Sequence, residues 1–178
     1  MLETLISSKT RIKLLLKFFL NSSSRSYLRS LETEFGESTN AIRLELNRFE
    51  EAGMLESEKE GNRKYFKADT GHPLFKEMQG IVRKYVGIDE IINHVLSKIG
   101  NLERVFLEGK LARGLEAEVI DLILVGEEID RQYLTHLISK AEGIIHKPIR
   151  YVLLEPGAEQ AYLQANEEQP LLIWSEEL

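Results

Sequence analysis

Apolar residues near the start of the chain recur at helical spacing. Ile12, Leu15, Leu16, Phe19 and Leu20 fall on one face of a helix that Ser7 or Ser8 can cap. The cluster Asn21-Ser22-Ser23-Ser24 stops it. A short helix is predicted over 28–35, ended by Gly36. Glu37-Ser38-Thr39-Asn40 then opens a third helix that runs to Ala52, with Ile42, Leu46 and Phe49 as its buried stripe and Gly53 as its left-handed cap. Met54 and Leu55 begin a strand, residues 58–63 read as a hairpin turn with Gly61-Asn62 at the tip, and 64–68 is the return strand. Helices are predicted over 74–86 and 89–99, on either side of Gly87. Beyond Gly100-Asn101, strands at 104–107, 120–125, 149–154 and 171–174 alternate with helices at 130–142 and 158–166. Residues 109–114 form a glycine-containing loop or helix start between the first two of these strands. That alternation predicts an α/β domain with a small mixed sheet. The chain as a whole is expected to be α+β in three segments: 1–87, a linker or dimerisation helix at 88–100, and 101–178.

Composition narrows the class. The chain has 178 residues, 43% of them apolar and 29% charged, as expected of a globular protein with a real core. No apolar run reaches the roughly 18 residues a membrane span needs, and the longest, 14–20, is broken by Lys17. No signal-peptide pattern opens the sequence. Cysteine is absent, which excludes disulfides, thiolate metal sites and cysteine nucleophiles. These features predict a cytoplasmic protein with no membrane partner. The net charge of −6 is unevenly spread: residues 1–87 carry 15 Lys/Arg against 12 Asp/Glu, net +3, and residues 88–178 carry 8 against 17, net −9. Such asymmetry points to two domains with different partners, the first able to meet phosphate.

Two short helices joined by a tight turn and followed by a hairpin make a winged helix-turn-helix. Its second helix fits a major groove and presents its N-terminal half to base edges. The exposed positions there are Ser38, Thr39, Asn40, Arg43, Leu44 and Asn47. Arginine can bond guanine bidentately and asparagine can do so with adenine, while Ser38 and Thr39 sit where a helix N-terminus meets phosphate. Beside the hairpin tip, Arg63 and Lys64 are the cations best placed for phosphate or the minor groove, although Glu56, Glu58 and Glu60 lie on the same hairpin. Taken singly, these residues also fit a solvated helix face and a soluble hairpin. The order helix, turn, helix, hairpin favours DNA contact.

The segments Ser8-Lys9-Thr10-Arg11-Ile12-Lys13-Leu14-Leu15, Tyr27-Leu28-Arg29-Ser30-Leu31, Ile42-Arg43-Leu44-Glu45-Leu46, Phe49-Glu50-Glu51-Ala52-Gly53-Met54-Leu55 and Gly61-Asn62-Arg63-Lys64-Tyr65-Phe66-Lys67-Ala68 resemble winged-helix regulators of the arsenic-repressor type. In particular they resemble a subgroup fused to a nucleotidyltransferase-like domain. The resemblance covers nearly all of 5–87, including His72-Pro73-Leu74, and implies homodimers that bind inverted repeats. Apolar residues in the following region, among them Phe75, Met78, Ile81, Val82, Tyr85, Ile88, Ile91, Ile92, Val95 and Leu96, are expected to supply a dimer surface.

In the second half, Val105-Phe106-Leu107-Glu108-Gly109-Lys110-Leu111-Ala112-Arg113-Gly114 followed by Ile120-Asp121-Leu122-Ile123-Leu124-Val125-Gly126 is similar to the minimal nucleotidyltransferase signature. Gly109, Ala112, Arg113, Gly114 and Asp121 match that pattern. Nucleotidyl transfer uses metal held by converging carboxylates, and residues i and i+2 of a strand share a face. Here Val119 stands at the first carboxylate of the pair and Lys110 stands where the family has a small serine. The resemblance therefore implies a degenerate nucleotide pocket of Gly109, Lys110, Arg113 and Asp121, with no catalytic residue, no metal and no cofactor. Lys110, with Arg113 nearby, is expected to pair with Asp121. Gly109 and Gly114 also fit ordinary turn glycines. His72, His94, His136 and His146 show no ligand spacing, Tyr162 and Trp174 read as core, and Glu167-Glu168 and Glu176-Glu177 read as solvated faces.

The leading expectation is a homodimeric DNA-binding regulator, not an enzyme, whose second domain senses or interacts. Its partners would be double-stranded DNA, a second copy of the chain and an anionic small-molecule effector. The alternatives are a nucleotidyltransferase acting on a nucleotide or protein, and a protein-interaction module that no longer binds DNA.

Overall fold

The computed structural model describes residues 2–165 and 169–176. The chain divides into two compact units: the residues through Tyr85 with Arg113–Glu116, and Val86–Ala112 with the residues from Ala117 onward. Each combines helices with a small sheet, so the chain is α+β.

In the first unit, α1 (Leu2–Leu5) precedes α2 (Lys9–Leu15), which starts where Ser8 Oγ accepts the Arg11 N–H at 3.2 Å. α2 widens into a π-helical stretch, Leu16–Leu20, all of whose residues are buried. Lys17 tolerates burial there because its ammonium donates to Glu34 Oε2 at 2.6 Å. A two-residue strand β1 (Ser26–Tyr27) leads into α3 (Leu28–Phe35), which ends at Gly36. α4 (Thr39–Glu51) follows, with Ser38 Oγ accepting the Ala41 N–H at 3.2 Å. Lys13 staples the turn between α3 and α4, donating to Phe35 O at 2.9 Å and to Glu37 at 2.8 Å. β2 (Leu55–Glu60) and β3 (Arg63–Ala68) form a hairpin, and the antiparallel sheet order is β1-β3-β2. α5 (Phe75–Val86) returns to the core, where Phe19 lies 5.7 Å from Phe75 and 6.4 Å from Phe49, ring centre to ring centre. Leu14, Phe18, Leu31, Ile42 and Leu46 complete that core.

The second unit opens with α6 (Ile88–His94) and a 3-10 turn, Leu96–Lys98. β4 (Leu102–Glu108), α7 (Gly109–Ala112), β5 (Ile120–Gly126), α8 (Arg131–Ile145), β6 (Ile149–Leu154), α9 (Ala158–Ala165) and β7 (Leu171–Ser175) follow. The sheet order is β6-β5-β4-β7, with β5 and β6 parallel and the other pairs antiparallel. β5 is central, and its run Leu122–Val125 is buried throughout, as a strand flanked on both sides and covered on both faces requires.

Several expectations change on contact with the structure. α1 and β1 are too short to carry a periodicity of their own, and the sequence pattern does not predict them. The helix expected over 89–99 stops at His94. Phe75, Val82, Ile88, Ile91, Val95 and Leu96 are already buried in the single chain, so they are not the dimer surface expected of them. The reason is that α6 packs against α8 in the second unit while α5 closes the aromatic core of the first. Tyr162 and Trp174 are half-buried rather than core. Asn166, Glu167, Glu168 and Glu177 lie outside the described residues.

Candidate functional site

In the first unit an open groove of about 810 Å3 runs between the start of α3, the exposed side of α4 and the hairpin. Its apolar part is Leu28, Leu46 and Phe66, and its polar part is Tyr27, Arg29, Arg43, Asn47, Asn62, Arg63 and Lys64. Four cations and two amides line it and no carboxylate does, so the groove suits a polyanion. The geometry follows from local sequence. The Ile42, Leu46, Phe49 stripe turns inward, which leaves Arg43 and Asn47 on the outer side of α4. Alternation along β3 buries Phe66 and Ala68 and puts Arg63, Tyr65 and Lys67 on the opposite face.

The foundation of α4 is a buried carboxylate. Glu45, 4% exposed, accepts from Arg11 at 2.8 and 3.3 Å and from Arg48 at 3.1 Å. Burial works to raise its pKa, but hydrogen bonds from Arg11 and Ser8 and the charges of Arg11 and Arg48 together hold it below the ordinary carboxylate value. α4 is thereby tied to α2 from beneath while its outer side stays open.

Of the sequence-selected residues, Arg43, Asn47, Arg63 and Lys64 meet in the groove. Ser38, Thr39 and Asn40 sit at the N-terminal end of α4 and are not among its lining residues. Tyr27, Arg29 and Asn62 also line the groove and are not among the sequence-selected residues, although Leu28-Arg29 marks a basic start of the second helix. Lys64 is not a free cation: its ammonium is 2.6 Å from Glu50 Oε2 and 5.0 Å from the centre of the Phe66 ring. Glu50 also accepts from Ser57, and these hydrogen bonds, the one from Lys64 first, hold its pKa below the ordinary value. The carboxylates of β2 are likewise engaged. Glu58 and Glu60 pair with Arg25 at 2.8 and 2.6 Å, and Glu56 pairs with Lys67 at 3.2 Å.

In the second unit, Gly109 follows β4 with φ +66, and a Cβ on it would lie 3.6 Å from Asp121 Oδ2. Asp121 does not pair with Lys110 as expected. Its two oxygens accept from Arg150 at 2.7 and 3.0 Å, because parallel register sets Arg150 directly beside it on β6. In that arrangement both carboxylate oxygens are taken up by the Arg150 guanidinium. Lys110 is exposed at the start of α7, and Arg113 falls in the segment that belongs to the first unit. On the other side Asp121 is in register with Glu108, whose two carboxylate oxygens each lie 3.2 Å from the Tyr162 hydroxyl.

No family model and no curated protein matches the chain. Solved structures similar to part of it include the following two. The AF1382 protein of Archaeoglobus fulgidus is 21% identical over 47% of this chain and 96% of its own, with a TM-score of 0.39. A protein of Sulfolobus solfataricus described as a candidate nucleotidyltransferase is 26% identical over 54% of this chain and 84% of its own, also with a TM-score of 0.39. The expectation that the chain is not an enzyme is corrected on this point and withdrawn, since one of the proteins it is similar to is described as an enzyme.

Proposed function

We propose that the chain is a double-stranded-DNA-binding transcription regulator, in which the first unit is a winged helix-turn-helix and the second a nucleotidyltransferase-like domain. The observation that carries this reading is the groove in which Arg29, Arg43, Asn47, Asn62 and Arg63 converge without a lining carboxylate. α4 serves as the major-groove helix, with Arg43 and Asn47 toward base edges and Ser38 and Thr39 at its N-terminal end toward phosphate. The hairpin brings Arg63 to the backbone. The interaction-module alternative rests on the chain's excess acid and on the glutamates of β2, and the pairing of those glutamates with Arg25 and Lys67 weakens the second ground. Partners on this reading are duplex DNA, a second copy of the chain and an anionic small-molecule effector of the second unit. Two copies would set their α4 helices about 34 Å apart, facing successive major grooves. Leu5, Leu74 and Ile81 remain exposed in the first unit for self-association.

Selection of bound fragments from the source genome, followed by anisotropy titration of the enriched duplex over a salt series, tests the reading. Salt-sensitive binding with enrichment of a defined site supports it; no retention of any duplex at low salt overturns it.

A second reading, nucleotidyl transfer, is favoured by the Gly109 turn set against Asp121 at the start of β5. A magnesium-dependent nucleotide-transfer assay decides it, with Arg150→Ala as the sensitising variant because it uncovers both oxygens of Asp121.

A further inference from the structure

Arg63 stands at the hairpin tip, its guanidinium carbon 4.7 Å from the centre of the Tyr27 ring. Tyr27 meets Tyr65 edge-on, with ring centres 5.3 Å apart and planes at 69°. Arg25 closes the far end, 3.9 Å from the centre of the Tyr65 ring. These four side chains form one ladder on the sheet face away from Phe66 and Ala68. Tyr27 is its firmest rung. Its backbone pairs with Tyr65, its N–H donates to Ser30 Oγ at 3.1 Å, and the Ser30 hydroxyl donates to its carbonyl at 2.7 Å. Tyr27 and Arg63 both line the groove.

Two physical consequences follow. An arginine at a hairpin tip samples many rotamers, and ordering it on binding opposes association. A ring beneath the guanidinium removes part of that disorder, and a side-chain hydrogen bond with Tyr65 removes more, while the other N–H donors of the five-donor fork stay available. The far end of the ladder matters as well. Glu60 is the register partner of Arg63 and its nearest competitor for the guanidinium, yet Arg25 holds Glu60 at 2.6 Å. Among the described residues Arg63 makes no ion pair. Glu60 still acts on Arg63 through its charge, but an ordered cation outside any ion pair keeps donors for a phosphate.

We propose that Tyr27 is a positioning residue for nucleic-acid binding, its ring holding the Arg63 guanidinium at the mouth of the groove with the N–H edge turned to a phosphodiester. The proposal rests on the DNA-binding reading above. The test uses the full chain and a duplex of about three helical turns, with anisotropy measured for wild type, Tyr27→Phe, Tyr27→Leu, Arg63→Gln and the Tyr27→Leu/Arg63→Gln double variant. Tyr27→Phe keeps the ring and binds as wild type does. Tyr27→Leu binds roughly two- to fivefold more weakly, the range of an exposed cation–π contact, and Arg63→Gln binds at least as weakly because it removes the cation itself. The double variant is no weaker than Arg63→Gln, because Tyr27 acts only through Arg63. Wild-type affinity in Tyr27→Leu, or a loss that multiplies in full onto Arg63→Gln, overturns the positioning role while leaving DNA binding intact. The stack is also read without any substitution, as an upfield ring-current shift of the Arg63 side-chain resonances in wild type. Unshifted resonances overturn it even where Tyr27→Leu fails to fold. A wild type that binds no duplex removes the DNA-binding reading and this role with it, and is recognised as that failure by a ring-current shift that persists.

Discussion

Glu45 shows how one side chain supports a surface it does not share. Removing it leaves Arg11 and Arg48 without their common acceptor beneath α4. Glu45→Ala is expected to destabilise the fold by about 1–3 kcal/mol in urea denaturation, the scale of lost hydrogen bonds to charged groups. Its pKa is lowered in the folded state, so its stabilisation is present above the unfolded-state value near 4.3 and is lost as pH falls through the folded-state value. Unfolding free energies measured from pH 7 downward should show that acid loss in wild type and a smaller one in Glu45→Gln. Lys64 makes a different point. Because Glu50 holds it, Lys64→Ala would act on the proposed DNA contact chiefly by leaving a bare carboxylate beside the groove. Lys64→Ala should weaken duplex binding, and adding Glu50→Gln should restore most of it; a double variant as weak as Lys64→Ala returns Lys64 to direct phosphate contact. Arg43 makes no ion pair among the described residues. Arg43→Ala is expected to cost roughly 1–3 kcal/mol at a specific site and to relax specificity there, measured by competition between matched and mutated duplexes.

At the scale of elements, two glycines mark close approaches between segments. Gly114 has φ +70, and a Cβ on it would lie 2.6 Å from Lys17 Cα and 2.7 Å from Leu16 O, so residues 113–116 rest directly on the π-helical stretch after α2. Gly87 has φ +96, and its Cβ would lie 2.9 Å from Cγ2 of Ile145, at the end of α8. The left-handed conformation alone costs a side chain about 1–3 kcal/mol at either position. The steric part differs, since Ile145 can rotate and the Lys17 backbone cannot. Gly114→Ala should therefore lower the melting temperature more than Gly87→Ala in calorimetry; equal shifts would show that the π-helical stretch yields. That stretch is itself held from α5, where Gln79 donates to Phe19 O at 3.2 Å and satisfies a carbonyl past its regular ladder.

For the whole molecule, the uneven charge sets what can be measured. Residues 1–87 carry net +3 within a chain of net −6, so on the proposed DNA-binding reading duplex affinity would depend on one face and not on overall charge. With Lys64 engaged by Glu50, three groove arginines remain to neutralise phosphate: Arg29, Arg43 and Arg63. A plot of log affinity against log salt should fall with a slope of about −3 per copy of the chain. A slope near zero would mean that the groove does not meet the DNA backbone. Sedimentation at micromolar concentration checks the homodimer, and a monomer there would limit the reading to half-site binding.

The sequence by itself determined those elements whose signals lie within a few residues of one another. α3 and α4 are written in the 3–4 spacing of Ile42, Leu46 and Phe49 and in the Ser38 and Gly36 boundaries, the hairpin in Gly61-Asn62, and the second sheet in four short apolar runs. Arg43, Asn47, Arg63 and Lys64 were legible as candidates because an amphipathic pattern names the side left in solvent. Tertiary structure decided what adjacency in the chain cannot express. β1 is two residues long and exists only because β3 pairs with it. Asp121 meets Arg150, 29 positions away, instead of nearby Lys110, because strand register and not sequence distance selects a charge's partner. The same holds for Lys64 with Glu50 and for Tyr27 beneath Arg63. Helical and strand periodicity acts over about two to four residues, whereas the partner of a charge or a ring is set by which elements the core brings side by side.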